Sequence, residues 1–230
     1  MSAHSETIYY GTDKVRQSMD VTVNTENWVL MVHGGSWNSG DKEQLKNFDI
    51  YDNLSTAFMN YRLNSIEAPM QEQIDDIFAA VKCIKDKYLP ETLVICGFSA
   101  GGHLAGYAAL KGLNVDGVIL WNAPPGSHDG FMFKPLIDTN NVPFLIIHGK
   151  NDTTVKFSYA SSLYQDLKDN RNNVYFHENF GGHIPTAYEI SSTKSNFIEF
   201  AKNQTIRRYT LIITFLSIAI IVFVIYRVKR

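Results

Sequence analysis

The sequence predicts an α/β fold in which a mostly parallel central sheet is covered by helices on both faces. Short apolar runs alternate with helical segments through most of the 230 residues, and this alternation is typical of parallel strands joined by helices. Several runs are apolar at almost every position, as strands buried on both faces are. The length fits one domain, and 45% hydrophobic residues supply enough material for one sizeable core.

Each element is placed by its own pattern. Two short strand-like runs, IYYG and SMDVTV, lie within residues 8–24, and residues 28–33 form the first continuously apolar strand. Residues 70–88 are predicted to be an amphipathic helix because apolar residues recur at intervals of three and four. The other predicted strands cover residues 55–63, 93–96, 116–121, 143–148 and 173–179, and the other helices cover residues 103–110, 155–168 and 185–202.

The strand that ends at Cys96 leads into GFSAG, a G-x-S-x-G sequence centred on Ser99, and a helix follows it. A strand, a tight turn and a helix are the context of a nucleophile elbow. The neighbours two positions before and after Ser99 must lack side chains so that the strand and the helix can pass closely. The helix N-terminus also favours the negative charge of an alkoxide or an oxyanion. A flexible turn without chemistry is the alternative.

A nucleophilic serine needs a base, and the chain has seven histidines. His183 is the predicted base because it follows two glycines in the loop after the last strand, which is its expected place in a hydrolase of this kind. His177 is the alternative, although it lies within a strand run. His148 and His103 are predicted to organise their local structure instead.

The base in turn needs an orienting carboxylate. Asp152 follows the strand at residues 143–148, and the chain order of Ser99, Asp152 and His183 is that of a hydrolase triad. Its role would be to fix the imidazole tautomer and to stabilise the imidazolium. An aspartate before a helix is also a common cap, and Asp129 and Asp138 are alternative acids.

Backbone donors for an oxyanion are predicted in two loops. Ala100 follows the nucleophile directly, and Gly34 and Gly35 belong to the HGGS sequence that ends the first apolar strand. Glycines there let backbone N–H groups approach a substrate oxygen, although a plain turn is the alternative. Trp37 and Phe98, which adjoin these two loops, are the predicted substrate-binding residues.

These motifs together resemble the α/β-hydrolase superfamily of esterases and lipases: HGGSW with GDK after it, NYRL, GFSAGGHLA, HGKND and the late GGH. Within it the sequence looks most like the small carboxylesterase and kynurenine-formamidase (arylformamidase) group, whose members carry HGG-x-W. The similarity covers roughly residues 8–204. It implies the α/β-hydrolase fold, with Ser99, Asp152 and His183 matching a catalytic triad and Gly34, Gly35 and Ala100 matching the oxyanion-hole region.

The resemblance also bears on structure and substrate. Arg62 and Asp76 match a pair that is structural in the family. The segment of residues 124–141 is short for a lid, so a fairly open site is expected, with Phe131, Met132 and Phe133 near its rim.

The predicted function is that of a serine hydrolase that cleaves a carboxylic ester, a thioester or an amide through an acyl-enzyme. No metal or cofactor is predicted because no His, Cys or Asp cluster has ligand spacing. A net charge of -2 makes nucleic acid a poor partner, and Cys83 and Cys96 are expected to be small core residues. An arylformamidase-type amidase, a peptidase of the prolyl-oligopeptidase type and a membrane-tethered scaffold without catalysis are the alternatives.

The C-terminal region predicts a membrane anchor. Residues 209–226 are eighteen residues without a charge. As a helix they would span about 27 Å, close to the roughly 30 Å hydrocarbon core of a bilayer. With no signal peptide at the N-terminus, the sequence predicts a hydrolase domain at residues 1–204 and a tail anchor at residues 205–230.

The domain is expected to face the cytosol, on the endoplasmic reticulum or the outer mitochondrial membrane. A glycosylation sequon at Asn151 supports this topology, because a glycan beside Asp152 would crowd the site.

Overall fold

The computed structural model describes residues 4–46, 54–64, 69–127, 129–139, 142–170 and 172–203. Its strands are β1 (His4–Tyr9), β2 (Ser18–Val23), β3 (Asn27–Val32), β4 (Ser55–Met59), β5 (Thr92–Phe98), β6 (Gly117–Trp121), β7 (Phe144–Gly149) and β8 (Val174–Asn179). Its helices are α1 (Glu43–Lys46), α2 (Met70–Tyr88), α3 (Ala100–Leu110), α4 (Phe157–Asp169) and α5 (residues 187–203). A 3-10 helix covers Lys134–Thr139.

The eight strands form one sheet in the order β1-β2-β4-β3-β5-β6-β7-β8. All pairs from β4 to β8 in that order are parallel, and β1 and β2 are antiparallel additions at one edge. Every residue of β4, β5, β6 and β7 is buried, which is why these strands are apolar without alternation. The prediction of a mostly parallel sheet is confirmed.

The core has two layers, one on each face of the sheet. Successive strand residues point to opposite faces, so Ile95 packs in the layer beneath α2, α3 and α4, whereas Val94 packs in the layer beneath α5. Phe197 of α5 is fully buried in this second layer. Helices therefore cover both faces, as the sequence predicts.

Several boundaries differ from the prediction, among them the start of α3 at Ala100 instead of residue 103, and two of the differences have a local cause. β4 ends at Met59 rather than continuing to residue 63, because Arg62 is held by α2. The Arg62 backbone N–H and guanidinium both donate to the Asp76 carboxylate, at 2.8 Å each, and the carboxylate is almost fully buried. This ion pair agrees with the structural role that the family resemblance implies.

The second shifted boundary is the start of α4 at Phe157 instead of residue 155, because the preceding N–H groups bind Asp152. Of the two cysteines, which are both free, Cys96 is buried as predicted, but Cys83 is only half-buried.

No helix within the described ranges has the length and apolar character needed to cross a membrane. The predicted span at residues 209–226 lies outside those ranges.

Candidate active site

Because β3 to β8 are parallel, the loops that follow them meet at one edge of the sheet. Ser99 lies there, in the turn between β5 and α3, with φ 53° and ψ -123°. A residue with a side chain rarely adopts this conformation, so it must be held by its surroundings. The Ser99 N–H donates to the Trp121 carbonyl at 2.9 Å, and the Ser99 carbonyl accepts from the His103 N–H at 3.1 Å.

The glycines on either side of Ser99 allow the backbone segments to touch. A Cβ atom on Gly101 would lie 2.3 Å from the carbonyl oxygens of both Val32 and His33. A Cβ atom on Gly97 would lie 2.3 Å from the carbonyl oxygen of Gly101. These contacts are with backbone atoms, so they cannot be relieved by a side-chain rotation.

Gly101→Ala is therefore expected to destabilise the fold by about 1–3 kcal/mol or more, the usual cost of overpacking. Gly182→Ala is a matched control, because the nearest atom to its added Cβ, the Asn151 carbonyl oxygen, is 4.0 Å away. Urea denaturation of both variants measures the difference. Equal stability of the two would contradict the close approach of α3 to β3.

Three of the predicted site residues are hydrogen-bonded in series. His183 Nε2 lies 2.9 Å from Ser99 Oγ, and His183 Nδ1 lies 2.8 Å from Asp152 Oδ2. The Asp152 carboxylate is fully buried, whereas 15% of the His183 side chain is exposed. Since ionised Asp152 can only accept at Nδ1, His183 carries its proton there and presents a lone pair at Nε2 to Ser99. The arrangement can take a proton from the hydroxyl.

The two oxygens of Asp152 have separate roles. Oδ1 accepts the backbone N–H groups of Thr154 and Val155, both at 2.8 Å, while Oδ2 faces His183. Asp152 therefore orders the turn before α4 and faces His183 at the same time, but it does not cap the helix, whose N-cap residue is Lys156. His148 Nε2 lies 3.5 Å from Oδ2 and 2.9 Å from the Val155 carbonyl oxygen, and burial lowers the pKa of His148.

The alternative candidates lie elsewhere. His177 is in β8, where its Nδ1 is 2.6 Å from the Asn196 side chain of α5 and its pKa is lowered by burial. Asp129 is exposed on a loop. The side chain of Asp138 is outside the described part of the chain.

Asn122 is a residue of this site that the sequence analysis did not identify. Its side-chain amide donates to the Gly182 carbonyl at 3.1 Å and to the His183 carbonyl at 2.6 Å, while its Oδ1 accepts the Gly149 N–H at 3.0 Å. It thereby joins the loop that carries His183 to the end of β7. The one sign of Asn122 in the sequence is that it is a polar residue directly after the apolar strand β6.

The predicted oxyanion donors flank the serine. Ala100 is the first residue of α3, so its N–H has no partner within the helix, and it lines the cleft beside Ser99. A Cβ atom on Gly34 would lie 3.1 Å from Ser99 Cβ, which places the Gly34 backbone against the serine. From Gly35 the chain turns through three residues with positive φ, at 119°, 50° and 64° for Gly35, Ser36 and Trp37.

A cleft of about 620 Å³ opens at Ser99. Ser36 and Trp37 form one wall. The loop after β6 forms a second wall with residues 124–127 and Met132, and Thr154, Val155 and Tyr159 complete the lining. Among these described lining residues there is no Lys, Arg, Asp or Glu, so the cleft surface is uncharged.

Two expectations about the cleft need correction. Phe98 is not among its lining residues, because the ring is buried against Gly34 and packs on His183 with ring centroids 5.3 Å apart. The Phe98 ring therefore lies against the imidazole of His183. Of the three residues expected at the rim, Met132 lines the cleft, whereas Phe133 is buried and Phe131 packs on Tyr107.

Within the described ranges, no group of three or more His, Cys, Asp or Glu side chains is arranged to hold a metal ion.

The chain is similar to known proteins in sequence and in fold. The BD-FAE family model matches residues 19–129, which include Gly34 and Ser99 but end before Asp152 and His183. The comparison with curated proteins gave no match.

Several solved structures share the fold. Esterase B from Lactobacillus rhamnosis, inhibited by a tributyrin phosphonate, superposes with a TM-score of 0.78 and 19% identity, over 91% of this chain and 88% of that chain. A truncated carbohydrate esterase from gut microbiota superposes with a TM-score of 0.74 and 18% identity, over 89% of this chain and 96% of that chain. Brefeldin A esterase, a bacterial homologue of human hormone-sensitive lipase, superposes with a TM-score of 0.69 and 15% identity, over 89% of this chain and 77% of that chain.

Proposed function

We propose that the chain is a serine esterase of the α/β-hydrolase esterase/lipase type and that it acts through Ser99, His183 and Asp152. The observation that carries the proposal is the pair of hydrogen bonds that His183 makes, 2.9 Å to Ser99 and 2.8 Å to buried Asp152. Nucleophile, base and orienting group in this geometry are the requirement for acyl transfer.

The reaction follows from the protonation states. His183 Nε2 takes the Ser99 proton as Oγ attacks the ester carbonyl, and Asp152 stabilises the imidazolium that forms. The oxyanion meets the Ala100 N–H and the backbone of the loop that begins at Gly34. His183 then gives its proton to the leaving alcohol, and the same histidine activates the water that hydrolyses the acyl-enzyme.

An uncharged ester is the substrate that best fits the cleft. Its described lining carries no ionised side chain, so a charged acyl or leaving group would lose hydration without gaining a partner. This disfavours the arylformamidase alternative, whose substrate N-formylkynurenine carries an ammonium and a carboxylate at its amino-acid end. The names of two structural neighbours, an esterase inhibited by a tributyrin phosphonate and a carbohydrate esterase, are in keeping with ester cleavage.

Labelling with a fluorophosphonate probe tests the proposal directly. The wild-type protein should react at Ser99 and hydrolyse p-nitrophenyl acetate and butyrate. A folded protein that takes no label and hydrolyses neither ester would contradict the proposal and favour a scaffold without catalysis. Faster turnover of N-formylkynurenine than of any ester would favour the amidase alternative.

The width of the cleft predicts the acyl-chain profile. Each buried methylene adds about 0.8 kcal/mol to binding until the cleft is filled. With Met132 and Tyr159 half-exposed at the lining, we expect kcat/KM to peak at short or medium chains and to level or fall beyond them. A series of p-nitrophenyl esters from acetate to palmitate measures this. A steady rise out to palmitate would contradict it.

We further propose that residues 209–226 anchor this domain to a membrane, with the cleft facing away from the bilayer. Asn196 meets His177 and Phe200 meets Tyr175, so α5 runs antiparallel to β8. Residue 203 is therefore at the sheet edge opposite Ser99, after a helix about 25 Å long. A substrate would then enter from water and not from the lipid phase, which suits a short-chain ester.

Protease treatment of intact organelles tests the topology. If the domain faces the cytosol, it should be digested without detergent, and endoglycosidase should produce no mobility shift. Protection of the domain, or a glycan on Asn151, would show the opposite orientation. A chain found wholly in the supernatant after alkaline extraction would refute the anchor itself.

A further inference from the structure

His103 makes hydrogen bonds to two separate parts of the cleft wall. It is fully buried in α3, four residues after Ser99. The indole Nε1–H of Trp37 donates to its Nδ1 at 3.0 Å, and its Nε2 lies 2.7 Å from the Phe131 carbonyl oxygen. Its ring also stacks on Phe133, with centroids 5.6 Å apart and planes 7° from parallel. The sequence analysis assigned His103 only a local structural role.

The partners of His103 determine its tautomer. An indole N–H can only donate, so Nδ1 must accept, and Nε2 must carry the proton that is donated to Phe131. Burial lowers the pKa of His103 to about 4, so the ring is neutral at physiological pH. In this state both ring nitrogens are hydrogen-bonded, so His103 connects the Trp37 side chain to the Phe131 backbone. His103 with its two hydrogen bonds is called the connector below.

One end of this connector holds the Trp37 wall. The Trp37 backbone is already fixed, because its carbonyl accepts from the Asn64 N–H and from the Gln73 side chain, both at 2.6 Å. The indole could still rotate about its side-chain bonds. The hydrogen bond to His103 and the edge-on ring contact, with centroids 5.5 Å apart, select one orientation.

The other end holds the loop after β6. The Phe131 carbonyl that accepts from His103 also accepts from the Ser127 N–H at 3.3 Å, and Gly126 pairs with Met132 across the same small loop. Ser127, Gly126 and Met132 all line the cleft, as Trp37 does. Fixing the Phe131 carbonyl therefore fixes this wall.

We propose that His103 is a positioning residue that sets the width of the cleft and thereby the acyl-chain preference of the enzyme. The inference rests on the proposed esterase function and adds the determinant of its specificity. His103 would not touch the substrate, since it acts through Trp37 and through the loop that carries Met132.

His103→Phe is the direct test, because phenylalanine keeps a buried ring and removes both hydrogen bonds. Without these hydrogen bonds, Trp37 and the loop after β6 should move apart more easily, so the cleft should accept longer acyl chains and bind short acyl chains less well. We expect kcat/KM for p-nitrophenyl acetate to fall about tenfold, mainly through KM, and the octanoate-to-acetate ratio of kcat/KM to rise about tenfold. Fluorophosphonate labelling of Ser99 should persist. A merely structural defect would lower both esters together and leave the ratio unchanged.

His177→Phe is the control, since it replaces a second histidine, which is partly buried on β8 and meets α5 and not the cleft walls. It should leave the ratio at the wild-type value. If His103→Phe does not fold, Trp37→Phe tests the same connection, because it removes the indole N–H that donates to His103 together with part of the ring that lines the cleft. It should raise the ratio in the same direction.

In the double variant the two changes should not add, because either one breaks the connection at the Trp37 wall. An unchanged octanoate-to-acetate ratio in folded Trp37→Phe and His103→Phe would overturn this inference and leave the proposed function standing. Absence of hydrolysis and of probe labelling in the wild type would overturn both.

Discussion

Ser99→Ala is expected to lower kcat for p-nitrophenyl butyrate by roughly a millionfold, to the limit of detection. The substitution removes the one oxygen that lies 2.9 Å from His183 Nε2 at the floor of the cleft. The fold should be retained, because the elbow is held by backbone hydrogen bonds of Ser99 to Trp121 and His103 and by the adjoining glycines. Steady-state hydrolysis, with circular dichroism to verify folding, makes the measurement.

A matched serine variant controls for loss of a hydroxyl. Ser158 lies on the exposed face of α4, so Ser158→Ala should keep wild-type activity. His183→Ala should lose about as much as Ser99→Ala, and the double variant should lose no more than either, because members of such a unit are not additive. An unchanged rate for Ser99→Ala would remove Ser99 from the mechanism.

The sequence was sufficient to predict the parts of this protein that depend on local pattern. Strands buried on both faces are recognisable because every position is apolar, and the turn at Ser99 is recognisable because a close approach of backbones requires glycine at Gly97 and Gly101. Chain order then places His183 and Asp152 in loops at the same sheet edge as Ser99, since all the strands concerned are parallel.

What the sequence did not reveal depends on contacts between distant residues. Asn122 holds the His183 loop from 61 residues away, and His103 reaches Trp37 across 66 residues. Neither has a spacing that a local pattern could detect. The direction of the Phe98 ring also depends on distant residues, because a residue beside the nucleophile can point either into the cleft or beneath it, and the positions of Gly34 and of the His183 ring decide between the two.

The second large effect is expected for Asp152→Asn, with a fall in kcat of about ten-thousandfold. The asparagine can keep its Oδ1 on the N–H groups of Thr154 and Val155, so the turn before α4 and the stability of the protein should change little. Its amide nitrogen must then take the place of Oδ2, 2.8 Å from His183 Nδ1.

Replacing the Oδ2 oxygen by an amide nitrogen reverses the tautomer of His183. An amide N–H donates, so Nδ1 of His183 would have to accept, and the ring proton would move to Nε2. Nε2 would then face Ser99 with a hydrogen and could not take the serine proton. The expected loss therefore comes from the wrong tautomer and not from misfolding, and the rate of fluorophosphonate labelling should fall with hydrolysis because both need the same base.

Asp129→Asn is the control for this experiment, because Asp129 is exposed on a loop and should tolerate the change with less than a twofold effect. Asp138→Asn completes the set of candidate acids. Hydrolysis, probe labelling and urea denaturation of the three variants separate tautomer inversion from instability. If Asp129→Asn or Asp138→Asn lost more activity than Asp152→Asn, the acid would have to be reassigned, and the buried carboxylate beside His183 would be left with only its structural bonds to Thr154 and Val155.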